Sequence, residues 1–341
     1  MMSAIKTNQS LKPYNTFGVE ASARYFAEVH TVEALKTLLQ NPEFKPLPKL
    51  FLGGGSNLLL TQDFEGLVVA LQMKGITETL VNDDEVLVTA QAGENWHQFV
   101  CYNIERNYGG LENLSLIPGN VGTSPIQNIG AYGVEIKDYF ESCEVLNLAT
   151  LEVETWDRTK CRFGYRDSIF KQEAKGQYII LSVTFRLTRQ HHRIRTDYGA
   201  IQAELHKMGI AEPTISAVSQ AVIAIRTSKL PNPKEIGNAG SFFKNPTIST
   251  EQYAKLKQEY PEIPGYEGSQ GVKVPAGWLI EKAGWKAKSI GEVATHQHQA
   301  LVIINATGKA SGQEIFDFST QIIQAVQRQF GITLEREVNV I

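Results

Sequence analysis

Residues 117–133 read IPGNVGTSPIQNIGAYG, a segment dense in turn-forming residues. It contains four glycines, two prolines and several short side chains that form hydrogen bonds. Glycines lack Cβ atoms, so their backbone N–H groups can approach a phosphate closely. The amides and hydroxyls can satisfy the polar edge of a buried ring system. The segment therefore predicts a ligand-binding loop rather than a plain connection.

A second glycine turn lies upstream at residues 53–57, which read GGGSN. Short apolar runs at 49–52 and 66–71 flank it and indicate a turn between strands. The turn departs from the G-x-G-x-x-G fingerprint and leads into three leucines, so an ordinary Rossmann dinucleotide site is disfavoured. Taken alone, it leaves phosphate binding and a tight structural turn equally open.

Hydrophobic periodicity predicts strands and helices on both sides of these turns. Residues 24–29 read as a strand, and a helix follows from Val32 with Thr31 as its N-cap. Residues 332–340 alternate so that their apolar members share one face, which predicts a final strand. The other expected strands are 85–90, 143–148, 151–156 and 178–187, the other expected helices are 96–107, 217–226, 249–260 and 312–330, and Pro231 and Pro233 indicate a hinge.

Composition describes an ordinary globular protein. The chain has 341 residues, 42% of them hydrophobic and 20% charged, which is enough for two or three domains. With 33 Lys plus Arg against 36 Asp plus Glu, no global field attracts nucleic acid or an acidic membrane surface. The amino terminus does not resemble a signal peptide, and no stretch reaches the roughly 18 apolar residues of a membrane-spanning helix. We therefore expect a cytoplasmic protein that binds neither nucleic acid nor membrane.

The spacing of cysteines and histidines gives no metal signature. Cys101, Cys143 and Cys161 form neither a C-x-x-C pair nor a zinc-type set, and they fit the reduced thiols of a cytoplasm. His296 and His298 have no third ligand nearby and are interpreted as surface residues. We expect no metal site.

Further motifs occur in a fixed order along the chain. They are NTF at 15–17, GENW at 93–96, GLE at 110–112, YRDS at 165–168, GNAGSFFKNP at 237–246, PAGWLI at 275–280 and LEREV at 334–338. Together with the two glycine turns, this order resembles the UDP-N-acetylenolpyruvoylglucosamine reductase family over nearly the whole chain. A ten-residue run such as GNAGSFFKNP is far more specific than a single glycine motif.

The resemblance implies an α+β protein. Its fold is the two-domain FAD-binding fold of vanillyl-alcohol-oxidase/PCMH-type enzymes, followed by a C-terminal α/β substrate-binding domain. Residues 1–75 and 76–230 correspond to the FAD-binding subdomains and 231–331 to the substrate domain, with 332–341 returning towards the first subdomain. NADPH is the implied hydride donor, and a monomer is expected. The residues expected at FAD are Gly53, Gly54, Gly55, Ser56, Asn57, Gly119, Gly122, Ser124, Pro125, Asn128, Gly130, Ala131, Tyr132 and Gly133.

The same resemblance implies the reaction and three catalytic residues. NADPH delivers hydride to flavin N5, and the flavin passes it to the enolpyruvyl methylene carbon of UDP-N-acetyl-3-O-(1-carboxyvinyl)-glucosamine, which gives UDP-N-acetylmuramate for peptidoglycan. Negative charge develops beside the substrate carboxylate, and the guanidinium of Arg166 fits a carboxylate. Ser241 is expected to protonate the neighbouring carbon, held so close that position substitutes for acidity. Glu337 is expected near the enolpyruvyl end.

Arg166 and Ser241 also have structural interpretations. Arg166 can form a solvated ion pair with Asp167 or another acid, which is the commoner fate of such a neighbour pair. Ser241 can be a turn or N-cap serine. The functional roles of both residues therefore rest on the family resemblance.

The two glutamates near the carboxyl terminus are equivalent by pattern. Alternation places Glu335 and Glu337 on one face, so the choice of Glu337 rests on the resemblance. The family often has proline between these glutamates and a basic residue two positions after the second. This chain has Arg336 and Asn339 instead, which is a local departure from the family pattern.

Five positions match family residues that contact the UDP diphosphate or the sugar. Lysine and arginine are natural partners of phosphate. The tyrosine of the set lies in an extra segment that resembles the subclass whose tyrosine loop folds over the nucleotide-sugar, and its alternative is a solvent loop. The five are Tyr198, Arg226, Lys229, Asn245 and, as a weaker match, Gln299.

Two rival functions remain at this point. One is another FAD oxidoreductase of the same fold, often with flavin tethered to histidine, but neither glycine turn contains a histidine. The other is a non-catalytic flavin or nucleotide-sugar binding module. Such a module need not keep Ser241, Arg166 and Glu337 together, and this chain has all three.

Overall fold

The computed structural model describes residues 4–268 and 270–341. The chain forms two compact units. Unit 1 consists of the described residues of Met1–Gln9, Ala23–Gly54 and Glu65–Ser228. Unit 2 consists of those of Ser10–Ser22, Gly55–Phe64 and Lys229–Ile341. The domain bounds expected from the sequence stay predictions.

Runs of strands separated by helices make up most of the chain. The strands are β1 (Lys6–Ser10), β2 (Ser22–Val29), β3 (Lys49–Leu52), β4 (Leu58–Leu59), β5 (Phe64–Leu71), β6 (Ile76–Leu80), β7 (Glu85–Gln91), β8 (Gly130–Ala131), β9 (Val134–Glu135), β10 (Phe140–Asn147), β11 (Val153–Asp157), β12 (Tyr178–Thr188), β13 (Gly237–Ser241), β14 (Thr247–Ile248), β15 (Tyr266–Gly268), β16 (Gly271–Lys273), β17 (Ser289–Ile290), β18 (Val293–Thr295), β19 (Val302–Asn305) and β20 (Asn339–Val340). The helices are α1 (Val32–Gln40), α2 (Trp96–Glu105), α3 (Arg158–Cys161), α4 (Gly199–Lys207), α5 (Ile215–Lys229), α6 (Thr250–Glu259), α7 (Ala276–Lys282) and α8 (Gly312–Phe330).

The first sheet of unit 1 has the strand order β1-β2-β5-β3, with β3 and β5 parallel. Helix α1 begins as predicted, because the Thr31 hydroxyl oxygen accepts a hydrogen bond from Ala34 N at 3.1 Å. The apolar face of α1, with Leu35 and Leu38, shares one buried cluster with Val29 and Val69 of the sheet. Burial of this face stabilises the βα opening.

The second sheet of unit 1 is antiparallel, with the order β11-β10-β12-β7-β6. Its core contains the fully buried rings of Trp96, Phe99 and Phe185, whose centroids lie 5.5–6.0 Å apart. Two of these rings come from α2, so the cluster fixes the helix on the sheet.

Unit 2 contains the sheet β13-β19-β18-β17, the smaller sheet β14-β16-β15 and the helices α6 to α8. Helix α8 begins at a capping box of Ser311 and Glu314 and ends at Gly331 in the left-handed conformation. The predicted helix 312–330 is confirmed by these ends. The other predicted helices and strands upstream of residue 332 have bounds within three residues of those observed.

The NTF motif at 15–17 belongs to unit 2 and packs on its main sheet. Asn238 N donates to Thr16 O at 3.0 Å, and Asn305 Nδ2 donates to Phe17 O at 3.0 Å. A Cβ atom on Gly237 would lie 2.1 Å from Phe17 O, so only glycine permits this approach. The motif therefore anchors an amino-terminal segment to β13 and β19.

The predicted continuous strand over 332–340 is wrong. Only Asn339–Val340 forms a strand, parallel to Leu58–Leu59. Ile332, Leu334 and Val338 are buried as the alternation required, but Val340 is 36% exposed. The physical reason is that hydrogen bonds of residues 335–337 go to 242–244, whereas those of 339 and 341 go to 57 and 59. A change of partner interrupts the ladder.

Helices long and apolar enough to cross a membrane are absent from residues 4–268 and 270–341.

Candidate active site

The two glycine turns meet within unit 1. A Cβ atom on Gly54 would lie 2.9 Å from the Gly119 Cα, and one on Gly122 would lie 2.4 Å from the Ala92 Cβ. The obstructing atoms include backbone, so a side chain at these positions would displace the chain. The close approach creates a surface made of backbone, which is what a pyrophosphate requires.

The 117–133 loop is fastened to the start of α2. Trp96 N donates to Gly119 O at 3.0 Å, and Val121 N donates to Glu94 O at 2.8 Å. Gly122 N donates to Ala92 O at 3.0 Å. These bonds explain why the GENW motif accompanies the loop in the sequence.

A cavity of about 130 Å³ adjoins both turns. Gly53 and Gly122 form part of its wall. The rest of the lining is mostly apolar, which suits a heteroaromatic ring beside a pyrophosphate. The backbone surface of the turns and the apolar wall of the cavity have the chemistry that binds a phosphate and an adjacent ring of FAD. Thr123 and Ile126 of the predicted 117–133 loop also line the cavity. The sequence did not identify the other lining residues, which are Phe51, Leu71, Ala92, Phe170, Ala174, Gly176, Tyr178, Ile179 and Ile180.

Several loop residues expected at FAD hydrogen-bond to the protein itself. The Ser124 hydroxyl donates to Val121 O at 2.7 Å, and Pro125 O accepts from Asn128 N at 3.3 Å. Asn128 Nδ2 donates to Gly164 O at 2.8 Å. These contacts hold the loop in shape and tie it to the segment that leads to residue 166.

Non-glycine residues with positive φ occur at this part of unit 1. Asn128, Tyr132 and Arg166 have φ of 46°, 51° and 51°. Arg166 Nη2 donates to Gly130 O at 2.5 Å and so reaches the β8–β9 hairpin, which carries Gly130, Ala131, Tyr132 and Gly133. Strained backbone of this kind persists where the surrounding structure fixes it, commonly at functional sites.

Tyr132, Tyr198 and Arg226 lie together in unit 1. The rings of Tyr132 and Tyr198 meet edge to face at 5.4 Å, and Tyr198 is 52% exposed. Burial lowers the pKa of Arg226, and the adjacent Tyr132 opposes that shift. Within the described residues, the buried Arg226 Nε has no hydrogen-bond partner. A buried donor of this kind is suited to an anionic ligand.

His97 is a residue of this region that the sequence did not identify. Its Nδ1 accepts from Leu116 N at 3.0 Å, next to the 117–133 loop. Burial and, second, the charge of Arg226 lower the pKa of His97. The imidazole is therefore held neutral beside the cation. The only sequence signal was its place after Trp96 in the GENW motif.

Ser241 ends β13 in unit 2 and is exposed. It follows Gly240, whose φ is 69°, and precedes the buried Phe242. Phe242 N donates to Leu301 O at 2.8 Å, and Phe242 O accepts from Glu337 N at 2.8 Å. The backbone bearing Ser241 is thus joined directly to the backbone bearing Glu337.

The structure distinguishes the two glutamates that the pattern left equivalent. Glu335 is exposed and forms an ion pair with Lys244. Glu337 is only partly exposed. Asn57 Nδ2 donates to Glu337 O at 3.2 Å. Glu335 therefore acts as a surface ion-pair partner, while Glu337 is held on both sides by backbone contacts.

The end of the first glycine turn also belongs to unit 2. A Cβ atom on Gly55 would lie 1.9 Å from Tyr14 O, and Thr16 N donates to Gly55 O at 3.1 Å. Asn57 O accepts from both N and Nδ2 of Asn339, at 3.1 and 3.0 Å. Ser56 lies between them, partly buried. Asn339 thus forms a main-chain anchor where the family often has a basic residue.

Asn245 and Gln299 both lie near the start of α7 in unit 2. Asn245 Oδ1 accepts from Ala276 N at 2.9 Å. Gln299 Oε1 accepts from Leu301 N at 3.3 Å and lies 3.2 Å from where a Gly277 Cβ would be. Lys229, at the end of α5, is exposed.

The rings of His296 and His298 meet edge to face, with centroids 5.5 Å apart. Within residues 4–268 and 270–341, no group of three or more His, Cys, Asp and Glu side chains is arranged to hold a metal ion.

Comparison with known proteins gives a full-length match. The UDP-N-acetylenolpyruvoylglucosamine reductase of Flavobacterium johnsoniae is 55% identical over 338 residues, which cover 99% of each chain. The chain belongs to the UDP-N-acetylenolpyruvoylglucosamine reductase family. The reductase of the same name from Pseudomonas aeruginosa is 48% identical over 333 residues, 97% of each chain.

Two family models match separate parts of this UDP-N-acetylenolpyruvoylglucosamine reductase homologue. An FAD binding domain matches residues 23–155, and the C-terminal domain of UDP-N-acetylenolpyruvoylglucosamine reductase matches 232–341. The first match contains Gly53 and the 117–133 loop, and the second contains Ser241 and Glu337. Arg166 and Arg226 lie between the two matches.

A solved structure of a family member supports the same architecture. The crystal structure of the reductase from Thermus caldophilus superimposes with a TM-score of 0.67 at 23% identity, covering 100% of this chain and 99% of the other. The predicted α+β fold, with an FAD-binding domain and a C-terminal reductase-family domain, is confirmed.

Proposed function

We propose that the protein reduces the enolpyruvyl ether UDP-N-acetyl-3-O-(1-carboxyvinyl)-glucosamine to UDP-N-acetylmuramate, with FAD as cofactor and NADPH as hydride donor, in peptidoglycan synthesis. The observation that carries the proposal is the 55% identity to a reductase of this name over the full chain. The presence of Ser241, Arg166 and Glu337 supports a catalyst over a binding module.

FAD is assigned to the glycine turns of unit 1. When bound, it supplies the hydride chemistry of the reaction. Gly53, Gly54, Gly119 and Gly122 offer backbone to its phosphates, and the adjoining cavity suits a ring. The remaining residues assigned to the cofactor are Gly55, Ser56, Asn57, Ser124, Pro125, Asn128, Gly130, Ala131, Tyr132 and Gly133. Among them, Ser124 and Asn128 act by shaping the loop, since their side chains bond to backbone.

Ser241 is assigned as the donor of the proton to the substrate carbon. Its exposure leaves the hydroxyl accessible to substrate, and the flanking Gly240 and buried Phe242 fix its backbone. Glu337 is the assigned carboxylate because it matches the family position, while Glu335 forms an exposed ion pair with Lys244. Arg166 is proposed to bind the substrate carboxylate, where charge accumulates as the neighbouring carbon becomes basic.

The nucleotide-sugar is assigned to five side chains that match family positions for the diphosphate or the sugar. Arg226 offers an unpaired Nε to a phosphate, and the exposed ring of Tyr198 can cover the ligand. Lys229, Asn245 and Gln299 are assigned to the same ligand. We further propose that the protein works in the cytoplasm as a monomer.

A spectroscopic experiment tests the function. Purified protein with FAD should show a flavin absorption band that NADPH abolishes without air and that the enolpyruvyl sugar restores, with UDP-N-acetylmuramate as product. A flavin band that NADPH leaves unchanged would favour a binding module. Reduction by NADPH that only another oxidant reverses would favour a different FAD oxidoreductase.

A further inference from the structure

Arg336 lies between the two glutamates and contacts α8 with its side chain. Its Nε donates to the Ser319 hydroxyl at 2.8 Å, and its Nη2 donates to the Thr320 hydroxyl at 2.6 Å. The guanidinium carbon lies 4.3 Å from the centroid of the Phe316 ring. One arginine therefore makes two hydrogen bonds and a cation–π contact with a single turn of helix.

The acceptors of α8 are arranged in advance for these bonds. The Ser319 hydroxyl donates to Phe316 O at 2.6 Å, and the Thr320 hydroxyl donates to the same oxygen at 3.0 Å. Since each hydroxyl hydrogen is engaged by the helix, its lone pairs are available to the guanidinium. Ser319 is fully buried, so an unpaired hydroxyl there would be costly.

Within the part of the chain that the structure describes, Arg336 has no counter-charge. Burial is the cause that lowers its pKa, and no described carboxylate opposes that shift. The guanidinium is therefore held by two neutral hydroxyls and a ring. Its planar group donates to both hydroxyls at once, which the ammonium group of a lysine cannot do in the same geometry.

The backbone of Arg336 fixes the neighbouring Glu337. Arg336 bridges Phe243 in antiparallel fashion, while Lys244 N donates to Glu335 O at 2.9 Å and Glu337 N donates to Phe242 O at 2.8 Å. Successive residues of an extended segment face opposite sides. A side chain of Arg336 that is fixed on α8 therefore sets the direction of Glu337.

We propose that Arg336 is a positioning residue for the sugar-reducing half-reaction, which it supports by anchoring the Glu337 segment to α8. The inference rests on the proposed function, because it takes Glu337 as the carboxylate near the enolpyruvyl group. It assigns a role to a position where the family resemblance led us to expect proline. Proline restrains the chain through its ring; Arg336 restrains it through the contact with α8.

Amide hydrogen exchange of the FAD-bound protein without the sugar substrate gives a readout separate from turnover. Arg336→Met should speed amide exchange in the 332–341 segment, where Glu337 N is bonded to Phe242 O. Thr320→Val, which removes one acceptor without altering the segment, should change exchange in the same direction by less. Arg328→Met is the matched control, because Arg328 is an exposed arginine of the same helix. Unchanged exchange in Arg336→Met would overturn the anchoring role.

Single-turnover kinetics with the same variants test the link to Glu337. Arg336→Met should slow flavin reoxidation by the enolpyruvyl sugar by about tenfold and leave reduction by NADPH within about twofold. Arg336→Lys should recover only part of the rate, since an ammonium cannot reproduce the fork. In a Glu337→Gln background, Arg336→Met should add less than about twofold, as expected of two residues acting as one unit.

Each contrary result has a distinct meaning. If wild-type flavin is not reoxidised by the sugar, the proposed function and this inference both fall. If wild type turns over but Arg336→Met matches it, slows both half-reactions equally or keeps its full effect in the Glu337→Gln background, the positioning role alone is overturned.

Discussion

Arg226 is a partly buried charged residue of unit 1 whose buried Nε lacks a partner within the described residues. Burial lowers its pKa, and the neighbours that act on it are Tyr132, which opposes this, and another cation, Arg166. A buried cation without a carboxylate lowers stability unless a ligand supplies the missing charge. The Nε of Arg226 is therefore suited to an anionic ligand.

Substituting Arg226 should weaken binding of the nucleotide-sugar more than it weakens the fold. Arg226→Met removes a charged donor worth about 1.5–3 kcal/mol, so the KM for the enolpyruvyl sugar should rise about 10- to 100-fold. The melting temperature should stay level or rise, since an unpaired buried charge is lost. Steady-state kinetics and thermal unfolding measure both, with the exposed Arg158→Met as control. An unchanged KM would contradict the assignment.

His97 should make stability depend on pH. Its pKa lies below the ordinary value of 6.5 because of burial and Arg226. As the pH falls below this ordinary value, the histidine of the unfolded chain binds a proton and that of the folded chain does not, so the free energy of unfolding declines. Protonation of Nδ1 would also break the bond from Leu116 N.

The His97→Gln variant should therefore lose less stability than wild type between about pH 7 and pH 5. Urea unfolding at several pH values measures the slope. His206→Gln, at an exposed position of α4, should follow wild type. A slope for His97→Gln as steep as that of wild type would show that another group titrates.

At the residue scale, the sequence predicted the site residues that belong to long motifs. It did not predict residues such as His97, whose importance depends on contacts in the folded chain. The positions of Ser241, Arg166 and Arg226 followed from the resemblance, and their roles stay predictions. His97 lies near Arg226, which is distant from it in sequence. Arg336 contacts Ser319 because of the way the carboxyl-terminal segment packs on α8. Neither pattern nor spacing reports such contacts.

The glycine turns are the elements that depend most on close packing. Gly122 leaves no room for a methyl group, because Ala92 Cβ would lie 2.4 Å away and its Cα 2.8 Å away. The two turns therefore depend on each other and on the strand end before α2.

Gly122→Ala should destabilise unit 1 and reduce its retention of FAD. Overpacking of this kind costs about 1–3 kcal/mol. The melting temperature and the ratio of flavin to protein after purification measure the two effects. Gly268→Ala is the control, because a Cβ there would meet only Gly271 O at 3.6 Å. Full flavin content together with an unchanged melting temperature would refute the packing argument.

Among the elements, local signals predicted α8 and failed for the tail. Ser311, Glu314 and Gly331 mark both ends of α8, so local chemistry sets its length. In residues 332–340 the alternation was real, but the backbone partners change between Phe242 and Asn57. A sequence pattern shows which residues are buried and does not show with which strand they pair.

At the scale of the whole molecule, each of the two units contains some of the residues proposed for binding and catalysis. Unit 1 holds the 117–133 loop, Arg166 and Arg226, and unit 2 holds Ser241 and Glu337. The α+β class and the family were predictable because motifs cover nearly the whole chain. The inclusion of Ser10–Ser22 and Gly55–Phe64 in unit 2 was not, since it results from contacts such as those of Thr16 and Asn57 with distant segments.

Replacement of Ser241 separates proton delivery from hydride supply and so tests the central claim most directly. Ser241→Ala should be reduced by NADPH at a rate close to wild type, while reoxidation by the enolpyruvyl sugar slows by at least about 100-fold, the usual contribution of a positioned acid. Anaerobic stopped-flow absorbance of the flavin measures both rates, with the exposed Ser289→Ala as control. A reoxidation rate like that of wild type, or equal loss of both half-reactions, would contradict Ser241 as the proton donor.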